Sequence, residues 1–160
     1  MKKITRRGIV AAIGVGGAGV CVCGMKNGCS SITKVGRTPL VPVGSYKIKK
    51  NALIIDIEKV PQLADVGGSV KIIDQLLSDR LIVARLSQSE FAVVSLLCTH
   101  RGCELEYRHE HSEFRCSSIG SSKFKTDGVK ISGFAKKPLK QYVASIDSSS
   151  KNQLIVTLDV

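Results

Sequence analysis

Phe91-Ala92-Val93-Val94-Ser95-Leu96-Leu97-Cys98-Thr99-His100-Arg101-Gly102-Cys103 starts as an apolar run and ends in two thiols and an imidazole. The run 91–97 has the length and composition of a strand. Of the six residues after it, Cys98, His100 and Cys103 carry side chains that bind metals. A second group follows twelve intervening residues later, Cys116-Ser117-Ser118-Ile119-Gly120-Ser121. It too begins at the end of a short strand-like stretch, 113–116. Two ligand-bearing loops, each at the end of a strand, are the feature from which the rest of the chain is read.

Outward from these loops the pattern repeats. Short runs rich in Val, Ile and Leu alternate with turn residues at 46–49, 52–57, 69–73, 80–86, 128–131, 141–146 and 154–158. Each is of strand length. Lys50-Asn51 and the stretch 147–152 read as hairpin connections, and 73–78 is the one place where a helical turn is expected. No long stretch has a helical period and no internal repeat stands out. The expectation is an all-β domain of small antiparallel sheets.

The chain has 160 residues, enough for one domain and an appendage. Hydrophobic residues make up 43%, which supports a packed core rather than disorder. The formal charge of +11 is concentrated at one end. Residues 1–50 hold ten Lys and Arg and no acid, whereas 51–160 hold fourteen basic and thirteen acidic residues. A nucleic-acid footprint belongs on the folded module, and there the net charge is only +1. Aromatic residues are 4% with no Trp, too few for the stacking platforms of a single-strand binder. Nucleic acid is therefore excluded as the expected partner.

The basic excess belongs to a leader. Lys2, Lys3, Arg6 and Arg7 precede an uncharged run of eighteen residues, 8–25. Thr5-Arg6-Arg7-Gly8-Ile9-Val10 resembles a twin-arginine export motif, with Ile9 in place of the usual Phe. Residues 1–25 are read as an export signal or a membrane anchor. Their length is near the lower limit for a spanning helix, and no small-x-small cleavage site follows. Residues 26–44, with Gly28, Gly36, Pro39, Pro42 and Gly44, sustain no hydrophobic period and read as a linker. The domain is 45–160. Cys21, Cys23 and Cys29 lie in the first two segments.

The motif Cys98-Thr99-His100-Arg101-Gly102-Cys103 closely resembles the first cluster loop of the Rieske iron–sulfur family. The second loop keeps Cys116, Gly120 and Ser121 of the family's C-x-C-H-G-S. Phe124, Gly128 and 133–139 followed by Tyr142 resemble the family's closing region. The resemblance covers roughly residues 45–160. It implies a Rieske-like fold with an inserted cluster-binding subdomain and a 2Fe–2S cluster held by two Cys and two His. Neutral imidazoles on one iron raise the potential to about −150 to +300 mV, against about −400 mV for all-Cys plant-type clusters.

By position, Cys98 and Cys116 match the thiolate ligands and His100 the first imidazole. The second imidazole falls at Ile119, which has no donor atom. The family's clamping disulfide joins Cys103 to position 118, which is Ser118. Phe134 stands where the family commonly has a Pro shielding the cluster, and there is one residue more than usual between Ser121 and Phe124. Candidate replacement donors are Cys103, Ser118 and Ser121. His109 and His111 lie on a polar stretch expected to be a hairpin tip. Zinc on two Cys and one His is a further arrangement these residues permit.

Two functions follow from the resemblance. One is electron transfer, as a Rieske subunit at the membrane surface on the exported side, passing single electrons between a respiratory partner and a soluble carrier. It would not be catalytic alone. The other is a cluster-free structural or assembly subunit whose loops are stapled by a disulfide from Cys116 to Cys98 or Cys103, as an exported location would favour. Oxygenase catalysis needs a second, large iron domain for which 160 residues leave no room. Cys98 and His100 on one loop do not make the nucleophile–base arrangement of a thiol enzyme.

Overall fold

The computed structural model describes residues 36–150 and 152–158. The leader 1–25 and the first part of the linker lie outside the described residues, as do Cys21, Cys23 and Cys29. Twelve strands are described: β1 Tyr46–Lys49, β2 Ala52–Asp56, β3 Ser69–Ile72, β4 Leu81–Arg85, β5 Phe91–Ser95, β6 Leu105–Arg108, β7 Glu113–Cys116, β8 Lys123–Lys125, β9 Lys130–Ser132, β10 Gln141–Tyr142, β11 Ala144–Ile146 and β12 Gln153–Thr157. They form three four-stranded sheets, ordered β1-β2-β12-β11, β10-β5-β4-β3 and β6-β7-β8-β9. The strands within each sheet pair antiparallel. The chain is all-β, and its third sheet is inserted between β5 and β10.

The middle sheet explains the uninterrupted apolar runs. Val83 and Val93 face a core shared with the first sheet, where Leu53, Ile55, Leu154 and Val156 are buried. Ile82, Ala84, Ala92 and Val94 face a second core shared with the inserted sheet, where Leu105, Phe114 and Phe124 are fully buried. A strand covered on both faces cannot alternate apolar with polar residues, so β4 and β5 read as continuous hydrophobic stretches. Fully burying each Leu, Ile or Val stabilises the fold by about 1.5–3 kcal/mol relative to exposure. β2 and β12 cover one face each and do alternate in burial.

Several expectations are corrected. The run 141–146 is two strands in two sheets. At the break, the Val143 carbonyl accepts the Thr157 N–H at 2.9 Å and the Val143 side chain is exposed. The stretch 73–78 is a hydrogen-bonded turn rather than helical, because Asp74 Oδ1 takes the Leu76 N–H while its carbonyl takes that of Leu77. Short 3₁₀ turns occur instead at Ile57–Lys59, Pro61–Leu63 and His109–His111. Strands β6 and β8 were not anticipated. Lys50-Asn51 does connect β1 to β2 as a hairpin.

Residues 36–41, within the stretch read as spacer, run along the domain. The Gly36 N–H donates to Glu104 Oε2 at 2.8 Å and that of Arg37 to Glu106 Oε1 at 2.7 Å. Leu40 bridges in parallel to Lys71, and Val41 is buried. Backbone donors find partners on the domain, which a solvated spacer would not need.

Candidate metal centre

The first loop follows β5. Leu97 pairs with Glu104 across its base. The Cys98 N–H donates to the Cys103 carbonyl at 2.8 Å, and the Gly102 N–H to the Cys98 carbonyl at 2.8 Å. Closing so short a loop puts Gly102 at φ +67, the left-handed region that glycine enters without steric cost. The Thr99 hydroxyl donates to the Lys137 carbonyl, tying the loop to the closing region.

The second loop joins β7 to β8. The Cys116 N–H donates to the Ser122 carbonyl at 2.8 Å, and the Ser117 N–H to the Glu104 carbonyl at 3.0 Å, so the two loops share a main-chain contact. The Ser121 N–H donates to the Ser118 carbonyl at 2.9 Å. That bond makes Ile119 and Gly120 the central residues of a tight turn, and Ile119 is 92% exposed while Ser118 is buried. Ser122 is fixed from outside, its Oγ accepting the Ala135 N–H at 3.0 Å. Gly133, at φ +89, lies so close that a Cβ there would sit 2.5 Å from Ser122 Cα. Phe134 is largely exposed, with its ring over Gly120.

The two loops bring Cys98 Sγ, a His100 ring nitrogen and Cys116 Sγ within 4.8 Å of one another. His100 Nδ1 is 2.9 Å from Cys98 Sγ, and its Nε2 is 3.3 Å from Ser118 Oγ. Ser118 Oγ is also 3.3 Å from Cys116 Sγ. In each loop the residue two positions after the cysteine turns back on it, His100 in one and Ser118 in the other.

The thiols form an unequal pair. The hydrogen bond with Cys116, together with burial, pushes the Cys98 thiol above the usual range. Accepting from Cys98 and from the Ser118 hydroxyl holds Cys116 below it, against burial, which works the other way. Two sulfurs facing each other beside an imidazole make a site suited to a cation.

The expected pairing of Cys116 with Cys98 or Cys103 is not formed: all three are thiols. Cys98 Sγ is engaged by His100 Nδ1 and Cys116 Sγ by Ser118 Oγ. Cys103 is buried in the second core. The Ser121 Oγ is occupied by the Arg115 Nε–H. His109 and His111 are exposed on the 3₁₀ turn between β6 and β7.

Sequence reasoning missed Glu104. Its buried carboxylate accepts the Lys71 ammonium at 2.7 Å and the Gly36 N–H, while its carbonyl holds Ser117. A lone Glu after a cysteine carries no signal of this. The inward direction of Ser118 is set by the turn that the Ser121 N–H closes, which side-chain sequence does not announce.

A small all-β domain with a cysteine- and histidine-bearing loop pair on an inserted sheet defines a Rieske-type module. No protein-family model matches the chain. The cytochrome b6-f complex iron-sulfur subunit of Chlorobaculum thiosulfatiphilum is 32% identical over 113 residues, 69% of this chain and 61% of that protein. The subunit of the same description from Chlorobaculum tepidum is 32% identical over 142 residues, 89% of this chain and 71% of that protein. The chain thus spans roughly two thirds of the length of these relatives. Among solved structures, the ferredoxin of carbazole 1,9a-dioxygenase from Nocardioides aromaticivorans superposes with a TM-score of 0.53 at 15% identity, over 66% of this chain and 95% of that one. The plasma-membrane Rieske protein of Synechocystis PCC 6803 gives 0.47 at 20% identity, over 56% and 85%. The chain belongs to the Rieske iron–sulfur subunit family.

Proposed function

We propose that the chain is a one-electron carrier, the iron–sulfur subunit of a membrane-associated quinol-oxidising complex, with its metal held by Cys98, Cys116 and His100. One observation carries this reading: two loops converge three metal-binding side chains within 4.8 Å. Two cysteines on opposing loops and a neighbouring imidazole supply three of the four donors a 2Fe–2S cluster takes in this family. Such a cluster, when bound, supplies a reversible one-electron couple.

The protein's own part is to hold and shield these donors. The Cys98–Cys103 and Cys116–Ser122 main-chain bonds set the loop shapes, and the Glu104 carbonyl fixes one loop against the other. Phe114, Phe124 and Leu105 pack below the thiols and exclude water from that side. His100 is only partly buried, so the redox partner approaches from its side of the loops.

The relatives' names place such subunits in a cytochrome b6-f complex. We extend to this chain a partner protein of the quinol-oxidising type and a position on the exported side of the membrane. Residues 1–25 would act as a twin-arginine signal retained as anchor, 26–44 would link, and 45–160 would form the carrier domain. Among the described residues no helix is long and apolar enough to cross a membrane. Replacing Arg6 and Arg7 together by Lys is expected to leave the chain on the inner side, read by protease access to spheroplasts.

A second reading rests on Ile119. The position of the family's second imidazole carries an apolar side chain facing solvent. A cluster-free subunit, its loops held by packing and hydrogen bonds, would look like this too. The two readings separate on iron. Full-length chain purified anaerobically with iron and sulfide supplied should hold about two irons per chain with a Rieske-like reduced EPR signal. A folded chain with no iron rejects the carrier reading and leaves the structural one.

A further inference from the structure

We propose that Ser118 supplies the fourth ligand of the cluster, in place of the missing imidazole. This rests on the electron-carrier reading. The turn closed by the Ser121 N–H to Ser118 carbonyl bond points residue 119 outward and residue 118 inward. Ser118 Oγ is buried, and it touches one donor from each loop, Cys116 Sγ and His100 Nε2, both at 3.3 Å. Of the neighbouring hydroxyls, Ser121 Oγ accepts from Arg115 and Thr99 donates to Lys137. Ser122 Oγ is held by the Ala135 N–H and is hydrogen-bonded to Cys98, whereas Ser118 Oγ reaches a donor on each loop. Among the described His, Cys, Asp and Glu residues, Cys98, His100 and Cys116 are the ones whose ligand atoms lie within 4.8 Å of one another.

The chemistry balances without a redox step. The Ser118 O–H bond breaks, an oxygen–iron bond forms, and the proton leaves to solvent. A serine oxyanion is a hard donor suited to ferric iron. It differs from imidazole in carrying a negative charge. The set becomes two thiolates, one alkoxide and one neutral imidazole. The added charge favours the oxidised cluster, so the midpoint potential falls below that of two-imidazole relatives. Only one nitrogen is bound to iron.

The test uses full-length chain reconstituted anaerobically with ferrous iron and sulfide, alongside Ser118→Ala, Ser118→Cys and Ile119→Ala, with thermal melts by circular dichroism as the folding control. Expected for the unaltered chain are about two irons and two sulfides and coupling to a single nitrogen in pulsed EPR. Ser118→Ala should lose cluster by about tenfold or more, with the melt of the cluster-free chain unchanged. Ser118→Cys should keep the cluster and change its visible charge-transfer bands, and Ile119→Ala should match the unaltered chain. Full cluster content in Ser118→Ala, or a Ser118→Cys spectrum identical to the unaltered one, overturns the assignment and leaves the carrier reading standing. No cluster in the unaltered chain rejects the carrier reading itself, and this proposal with it.

Discussion

The two loops of the site have equally built frames and unequal contents. The first, from Cys98 to Cys103, has a main-chain bond across its base, glycine at its left-handed corner and an imidazole facing its cysteine. The second, from Cys116 to Ser122, is also bonded across its base and is further braced by Glu104, Ala135 and Gly133. Yet its left-handed corner is Ser121, at φ 38, and its most exposed position carries Ile119. The support beneath the second loop is intact while the side chains offered on it differ from the family's. Scaffold and donor set are separable properties of one site.

The sharpest way to break the symmetry of the frames is at Glu104. Glu104→Ala leaves Lys71 as an unpaired buried charge and removes the acceptor of the Gly36 N–H. The expected loss is about 3–5 kcal/mol in denaturant unfolding. Glu104→Ala with Lys71→Met should recover much of it, because an apolar pair avoids the uncompensated charge.

Gly133→Ala strikes the second loop alone. Its Cβ would press on Ser122 Cα from a backbone at φ +89. A destabilisation of about 2–4 kcal/mol is expected from overpacking and left-handed strain together. A melt within a degree of the unaltered chain would show that the loop yields freely.

Gly102→Ala strikes the first loop. Nothing lies within 4 Å of the added methyl, so only the φ of +67 opposes it. The expected cost is about 1–2 kcal/mol, less than at Gly133. If the order of these two were reversed, crowding would not be what seats the second loop.

The smallest effect is expected at Ile119→His. A side chain 92% exposed should change stability by less than about 0.5 kcal/mol. Its use is spectroscopic. Nitrogen coupling that stays at one site confirms that this turn holds residue 119 outward, and coupling to two shows that the loop can still rotate it in.

Much of this architecture was legible because burial writes itself into composition. β4 and β5 were plain as apolar runs, and the first loop was plain because its six residues match a family motif in order. β6 and β8 were not. Glu106 and Arg108 of β6, and Lys123 and Lys125 of β8, are polar residues on strands only partly covered, and each strand has one fully buried apolar residue, Leu105 or Phe124. The docking of 36–41 was hidden for a related reason. It is made by backbone N–H groups and two distant carboxylates, and backbone donors have no signature in side-chain sequence. In the second loop, the cysteine was legible but the inward direction of Ser118 was not, since a tight turn, rather than strand alternation, decides which of two adjacent residues faces the metal-binding side.

The Gly36–Glu104 bond gives the domain a mechanical character. The chain enters at Gly36, whose N–H is tied to the Glu104 carboxylate, while the carbonyl of that same residue holds Ser117 of the second loop. A pull on the chain ahead of Gly36 is therefore felt within one residue of the site, and not first in the outer sheet. The Lys71 ion pair and the Leu40 bridge to the middle sheet resist that load. A carrier domain hung from a tether would thus have its point of suspension at the base of the loops, where tension and loop geometry are coupled through a single glutamate.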